Sequence, residues 1–248
     1  MKRLLVAVLV LAALFGHVLA LEAGVSDPSA HEAIITLQGT TVMYVGKVNE
    51  LSVERLLAIV SGKTVTELII STSGGEVDAG MRMGEWVYDN QIDVVVDGMC
   101  MSSGANYVFT AGRRKTIREN SIVAWHGSMI SETSDEEIRT AVIEGYEQLP
   151  EAARAEIDLD DLIGQSIRQA REYIATNRAK QAQFFEKIGV DEYVCRVGNE
   201  EYGAEDFFCL TVEDMARFGI RNVEAPTDYA ETDLSPYRKK SVEFIHLK

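Results

Sequence analysis

The chain has 248 residues, of which 46% are hydrophobic and 25% charged, and its formal net charge at pH 7 is −15. This composition supports a full hydrophobic core and excludes a disordered chain. The acidic balance argues against a nucleic-acid partner, because neutralising phosphates requires a basic face.

The first twenty residues have the pattern of a secretory signal. Lys2 and Arg3 precede an apolar run over residues 4–15, and small residues ending at Ala20 resemble a cleavage site. Cleavage after Ala20 removes two basic residues and no acidic ones, so the mature net charge is −15 minus 2, or −17. We therefore expect a periplasmic or secreted protein. The alternative is an uncleaved membrane anchor through residues 4–21, which is just long enough to span a bilayer.

Short apolar runs alternate with segments of helical periodicity over the first half of the mature chain. The runs predict strands at residues 33–37, 41–45, 68–70 and 92–96, and the periodic segments predict helices at residues 49–61 and 77–89. Strands that alternate with helices indicate an α/β fold with a largely parallel sheet covered on both faces. In such sheets functional residues lie at the carboxyl ends of the strands.

Beyond residue 96 this plan repeats once and then changes. A turn at Gly98 leads into a helix that begins at residues 102–105, and a short strand then ends at His126. An acidic loop at residues 131–137 follows. Further predicted elements are a helix ending near Pro150, helices at residues 162–188 and 211–218, and a strand at residues 242–245. We expect a single domain over residues 21–248, with a core over about residues 33–220 and a tail over residues 221–248.

The three cysteines have different surroundings. Cys195 and Cys209 flank a polar segment that contains glycine, and in an oxidising compartment they can close a small loop by a disulfide. Cys100 lies in an apolar run and is expected to be a buried free thiol. Neither the cysteine spacing nor the histidine spacing resembles a metal site, so no metal is predicted.

The stretch between residues 71 and 126 carries the residue types that acyl transfer requires. Ser102 precedes a predicted helix and is the candidate nucleophile, and His126 is the candidate base. The N–H groups of Gly75 and Ser103 are candidate donors to an oxyanion. The supporting turns contain Gly74 and Gly104. Each residue alone also fits a structural role, as a helix cap, a tight turn or a packed histidine.

Three segments, in this order, resemble the proteolytic subunit of the Clp protease. TSGGEVDAGM is similar to its Ser-Pro-Gly-Gly-Ser-Val-x-Ala-Gly segment, and CMSSGANYVFTAG is similar to Cys-Met-x-x-Ala-Ser-Met-Gly-Ala-x-Leu-Leu-x-Ala-Gly. ENSIVAWHG is similar to Pro-Asn-Ser-x-x-Met-Ile-His. The likeness covers about residues 34–126 and returns weakly at residues 207–220, which resemble the family's Phe-Leu-Ser-x-x-Glu-Ala-x-x-Tyr-Gly-Leu helix.

Carried over by position, the resemblance makes Ser102 the catalytic serine and His126 the catalytic histidine. Gly75 and Ser103 match the family's oxyanion donors. The family's third member is an aspartate before the Phe-Leu-Ser element, where the aligned position here is Phe207. Asp206, one residue earlier, is therefore the candidate that orients the histidine. Its nearest rival is Glu205, and Thr72 and Ser73 also replace the family's Ser-Pro.

The resemblance implies a ClpP/crotonase-like spiral of ββα units that assembles into homo-oligomers, and the helical pattern adds a long C-terminal helix at residues 162–188. It implies a serine hydrolase that cleaves peptide bonds and requires no cofactor. The predicted signal adds export, and because an exported protein has no ATP-driven unfoldase beside it, we expect an ATP-independent enzyme that acts on peptides or unfolded proteins. One alternative is a catalytically inactive ClpP-like binding or scaffold protein. A less favoured one is a crotonase-type acyl-CoA enzyme, which uses oxyanion donors without a Ser-His pair. A Ser-Lys mechanism is disfavoured because no lysine lies between Lys115 and Lys180.

Overall fold

The computed structural model describes residues 33–129, 134–237 and 241–248. The predicted signal, its cleavage site at Ala20 and the alternative anchor lie outside the described residues. Residues 131–133 of the predicted acidic loop also lie outside the described residues. No helix in the described ranges has both the length and the apolar character needed to cross a bilayer.

A mostly parallel sheet forms the centre of the fold. The described strands are β1 (Ile34–Gln38), β2 (Thr41–Val45), β3 (Glu67–Thr72), β4 (Asp93–Met101), β5 (Lys115–Ile117), β6 (Ile122–Ala124), β7 (Phe207–Leu210), β8 (Val223–Glu224) and β9 (Val242–Ile245). The main sheet has the order β1-β2-β3-β4-β5-β8, and β6 also pairs with β4. Only the β1–β2 pair is antiparallel among the pairs of this sheet.

Helices connect the strands, and the first two of those described pack on one face of the sheet. The described α-helices are α1 (Glu50–Val60), α2 (Val77–Asp89), α3 (Asp135–Glu147), α4 (Glu151–Arg154), α5 (Leu159–Ile188), α6 (Val197–Glu201) and α7 (Val212–Arg217). Buried side chains of α1 and α2, such as Leu56 and Met83, share one core with Leu68 and Val94 of the sheet. The predicted α/β class, with a largely parallel sheet and a long helix in the C-terminal half, is confirmed.

The opposite face of the sheet is open near β1 and β2. Ile34, Met43 and Val45 are 65%, 45% and 39% exposed, and residues along β2 alternate between buried and exposed. Such alternation is typical of a sheet with one covered face. The prediction that helices cover both faces is therefore wrong for this edge, as far as the described residues show.

β4 is longer than predicted because Gly98 lies within the strand and is not a turn between elements. Gly98 has a φ of +95°. The pairing of β4 with β3 shifts register between Ile70 and Thr72, which marks a bulge. Before the bulge β4 pairs with β5, and after it with β6, where Met101 lies opposite Ala124. The bulge thus brings the end of β4 beside the end of β6.

The described residues of the predicted tail contain two strands, β8 and β9. β8 extends the main sheet beside β5, and β9 pairs in parallel with β7 to form a second, two-stranded sheet. Tyr229 and Ile245 are buried in the main core. The described residues of 221–248 therefore add a strand to the main sheet and side chains to its core.

The internal contacts of the chain define two compact units. The sheet unit comprises the described residues of 28–128 and 180–248, and the helical unit comprises those of 129–179. In the helical unit, Ile138 of α3 and Ile163 of α5 belong to one apolar cluster. A capping box begins α3, since the Glu137 N–H donates to Ser134 Oγ at 3.2 Å and the Ser134 N–H donates to Glu137 Oε2 at 2.8 Å.

Candidate active site

Ser102 directly follows β4 and has an unusual backbone conformation. Its φ is +54°, in the left-handed region that non-glycine residues rarely adopt. Its N–H donates to the carbonyl of Ala124 at 3.0 Å, so the end of β6 fixes the turn. Its carbonyl accepts from the N–H of Asn106 at 2.8 Å. Ser102 therefore occupies a sharp turn between a strand and a helix. Hydrogen bonds to its N–H and to its carbonyl fix the backbone of this turn.

His126 is placed by the strand that pairs with β4. Trp125, which precedes it, exchanges two backbone hydrogen bonds with Phe208 of β7, at 2.9 and 2.8 Å. The His126 ring lies 4.3 Å from the ring of Phe207, measured between centroids. Its Nε2 lies 2.7 Å from Ser102 Oγ. The two residues predicted as nucleophile and base are thus within hydrogen-bond distance.

The Gly74–Gly75 turn packs closely on its surroundings. Gly74 has a φ of +88°, and a Cβ on it would lie 2.6 Å from both the carbonyl oxygen of Met101 and Ser102 Cβ. A Cβ on Gly75 would lie 1.9 Å from the carbonyl oxygen of Val48. Real contacts are never this short, so only glycine fits at either position. The turn can therefore lie directly against the Ser102 backbone.

The predicted oxyanion donor Gly75 already has a hydrogen-bond partner. Its N–H donates to Ser103 Oγ at 2.7 Å, and Ser103 is 3% exposed. The N–H of Ser103 lies in the first turn of the following helix, where backbone donors have no intrahelical partner. The structure brings both predicted donors next to Ser102.

The helix after Ser102 is wound more widely than an α-helix. Residues Gly104–Phe109 form a π-helix, a form that often occurs at functional sites. A Cβ on Gly104 would lie 2.5 Å from Thr72 Cγ2 and 3.3 Å from Cys100 Sγ, so this glycine allows close packing on β3 and β4. Cys100 is a fully buried free thiol, as predicted, and burial raises its pKa far above that of an ordinary thiol.

Asp206 lies just before β7, next to the residue that contacts His126. Because Trp125 pairs with Phe208 in antiparallel fashion, the backbone of residues 206–207 runs beside His126. Asp206 is half-buried, whereas Glu205 is exposed. The Asn199 amide fixes this segment by donating to the carbonyl oxygens of Ala204 and Asp206, at 2.8 and 2.9 Å.

Sequence reasoning missed Asn106, which connects the nucleophile helix to the histidine segment. Asn106 is 4% exposed, and its Nδ2 donates to the carbonyl of Gly127 at 3.0 Å. Its backbone N–H donates to the carbonyl of Ser102 at 2.8 Å. Gly127 also donates its own N–H to the carbonyl of Cys195 at 2.7 Å. The sequence signal for Asn106 was a polar residue within an otherwise apolar helix, at a position that faces the core.

Glu192 lies at the centre of a half-buried polar cluster, which was also not predicted. It accepts hydrogen bonds from Ser128 Oγ, from Gln181 Nε2 at 3.2 Å and from Arg196 Nε at 3.0 Å. The Gln181 amide oxygen accepts from the hydroxyl of Tyr107 at 2.6 Å. The cluster joins the π-helix, α5 and the segment after His126. No short sequence motif contains this cluster, because its members are far apart in the chain.

Cys195 and Cys209 do not form the predicted disulfide. Both are buried free thiols, and burial raises the pKa of each. Cys195 belongs to the main core, whereas Cys209 belongs to a separate apolar cluster around β6 and β7. The segment between them contains α6 and the two hydrogen bonds donated by Asn199. Within the described residues, no group of three or more His, Cys, Asp or Glu side chains is placed to hold a metal ion.

Comparisons with known proteins add a structural likeness. No protein-family model matches the sequence, and no curated protein matches it. Among solved structures, the chain is similar to a mutant of ClpP1 from Listeria monocytogenes, with 18% sequence identity and a TM-score of 0.38. The alignment covers 77% of this chain and 94% of the other. The function proposed below rests on the site geometry and on the sequence motifs.

Proposed function

We propose that the protein is a serine hydrolase that cleaves peptide bonds through an acyl-enzyme. The observation that carries this proposal is the 2.7 Å distance between Ser102 Oγ and His126 Nε2, at a serine whose backbone is held at a φ of +54°. Peptide bonds are proposed as the substrate because the three motifs around these residues resemble those of a peptidase family. The acyl chemistry itself needs only the residues of the site.

In this mechanism, His126 Nε2 accepts the proton of the Ser102 hydroxyl while Oγ attacks the substrate carbonyl carbon. This step requires the tautomer in which Nδ1 carries the ring proton, and Asp206 is the residue proposed to orient it. The carbonyl oxygen becomes an oxyanion that the N–H groups of Gly75 and Ser103 stabilise. His126 then returns the proton to the leaving amine, and water releases the acyl group from Ser102 by the same steps.

A fluorophosphonate probe tests this proposal directly, because it phosphonylates only an activated serine. We expect the full mature chain to be labelled, with the modified residue identified as Ser102 by mass spectrometry. Ser102→Ala should abolish labelling, and His126→Gln should slow it by about 10²- to 10⁴-fold, the usual contribution of a general base. Ser121→Ala is the matched control, because it removes a fully buried serine hydroxyl away from the pair.

A folded wild-type protein that resists the probe would count against the hydrolase and favour the inactive scaffold protein. The proposal also includes export through residues 1–20. N-terminal sequencing of the protein recovered outside the cytoplasm should then begin at Leu21, whereas an intact Met1 would indicate an anchored protein.

A further inference from the structure

The hydrogen bond between Gly75 and Ser103 occupies a donor that the proposed mechanism needs. The Gly75 N–H points at Ser103 Oγ, 2.7 Å away. One N–H binds one acceptor well, since the bond weakens steeply away from its axis. An oxyanion and the Ser103 hydroxyl therefore compete for the same place in front of Gly75.

The backbones on both sides of this hydrogen bond are fixed. Gly75 packs against the Val48 carbonyl, and the Val48 N–H donates to the Gly74 carbonyl at 3.0 Å. Ser103 has helical backbone angles, with φ −58° and ψ −26°. Its Cβ also faces Gly80, where an added Cβ would lie only 3.0 Å away. The motion that remains is rotation of the hydroxyl about the Cα–Cβ bond of Ser103.

We propose that the Ser103 hydroxyl masks the Gly75 N–H in the resting site and leaves when an oxyanion forms. This inference rests on the proposed function. Hydrogen bonds to a charged acceptor are roughly twice as strong as those to a neutral one, so an oxyanion displaces the hydroxyl readily. A neutral substrate carbonyl competes with it on nearly equal terms. The mask thus satisfies the Gly75 donor while the site is empty and weakens the binding of the uncharged ground state.

The rate at which a fluorophosphonate labels Ser102 tests the mask without knowledge of the substrate. Ser103→Ala should label about 2- to 10-fold faster than wild type, the factor that corresponds to one neutral hydrogen bond no longer displaced. Ser103→Cys should fall between the two, because a thiol is a weaker acceptor. Ser121→Ala is the matched control, since Ser121 Oγ likewise accepts a glycine N–H, that of Gly98 at 2.8 Å.

The amide proton of Gly75 reports the contact independently of reactivity. In an NMR spectrum it should move upfield in Ser103→Ala, where the short hydrogen bond is lost, and stay in place in Ser121→Ala. Labelling of wild type with no acceleration in Ser103→Ala would overturn the mask and leave the hydrolase proposal standing. Equal acceleration in Ser121→Ala would also overturn it, because the faster labelling would then come from a general loosening of the fold. Absence of labelling in every variant would instead overturn the hydrolase proposal, and the inference with it.

Discussion

Ser102 concentrates the constraints of the candidate site in one residue. A left-handed backbone costs a non-glycine residue about 1–3 kcal/mol, and this conformation persists only where the surroundings enforce it. Here the carbonyl of Ala124 and the N–H of Asn106 hold the two peptide groups of the turn. β6 and the π-helix thus hold Ser102 in this conformation, with its hydroxyl oxygen 2.7 Å from His126 Nε2.

Asp206 is the third member of the proposed triad, and substitution tests it against its neighbour. Asp206→Asn keeps the shape of the side chain but removes the charge that stabilises the histidine when it accepts a proton. We expect the labelling rate of Ser102 to fall by about 10²- to 10⁴-fold, as for other triad aspartates. Glu205→Gln, one residue earlier and exposed, should change the rate by less than about twofold. A larger effect of Glu205→Gln would assign the orienting role to Glu205.

At the scale of elements, local patterns predicted most boundaries, and non-local pairing explains what they missed. The strand at residues 41–45, the helix at residues 77–89 and the strand at residues 242–245 have the predicted bounds. The sequence pattern predicts a turn at Gly98, since glycine is a common turn residue. In the structure β4 continues past it, because two different partners, β5 and β6, pair with its two halves.

The same distinction applies to the candidate site. The order of the motifs was enough to predict that Ser102 and His126 meet, because both follow strands whose carboxyl ends share one edge. The Gly75–Ser103 bond and the Asn106–Gly127 bond join residues 28 and 21 positions apart through side chains. Their existence depends on the register of the bulged strand and on the π-helix. Neither feature has a period or composition that a sequence window reveals.

Two helical glycines offer an element-scale test with opposite signs. In α2, a Cβ on Gly84 would lie 2.4 Å from the carbonyl oxygen of Tyr107 and 2.9 Å from Phe184 Cζ. Since the backbone carbonyl cannot move aside cheaply, Gly84→Ala should destabilise the protein by about 1–3 kcal/mol. In α5, a Cβ on Gly164 meets only the flexible end of Arg168, at 3.5 Å.

Gly164→Ala should therefore stabilise its helix by up to about 1 kcal/mol, because alanine has the higher helix propensity. Thermal unfolding followed by circular dichroism measures the stability of both variants. Hydrogen exchange of the α5 amides measures the local effect of Gly164→Ala. If both variants lost stability to the same extent, close packing against Tyr107 would not be the reason that α2 carries a glycine.

For the whole molecule, a buried lysine links stability to pH. Lys115 is 5% exposed, and its Nζ donates to the carbonyl oxygens of Gly112 and Arg221, at 2.7 and 3.1 Å. Both acceptors are neutral, so they do not balance the charge. Burial lowers the pKa of Lys115 from 10.5 to about 8. The amine thus joins β5 to the chain before β8 and favours the neutral form more than an exposed lysine does.

Because the pKa of Lys115 is lower in the folded state, the unfolded chain binds more protons between about pH 8 and pH 10.5. Lys115 therefore destabilises the fold to its full extent below about pH 8, and this destabilisation disappears as the pH rises to 10.5. Lys115→Met removes this titration. The free energy of unfolding of wild type, relative to the variant, should increase by about 1–2 kcal/mol between about pH 7 and pH 9.5. Urea unfolding at a series of pH values measures the difference.

Lys187→Met provides the control with the opposite sign. Lys187 is exposed and pairs with Asp89 at 2.7 Å, and the hydrogen bond to Asp89 raises its pKa above 10.5. A lysine whose pKa is raised in the folded state stabilises the fold fully at any pH below its unfolded-state pKa. This stabilisation is lost only at higher pH. The difference between wild type and Lys187→Met should thus stay flat up to about pH 9.5, while cysteines and tyrosines titrate alike in all three chains and cancel. A flat difference for Lys115→Met as well would mean that the Lys115 amine is solvated like that of Lys187, which contradicts its burial between β5 and β8.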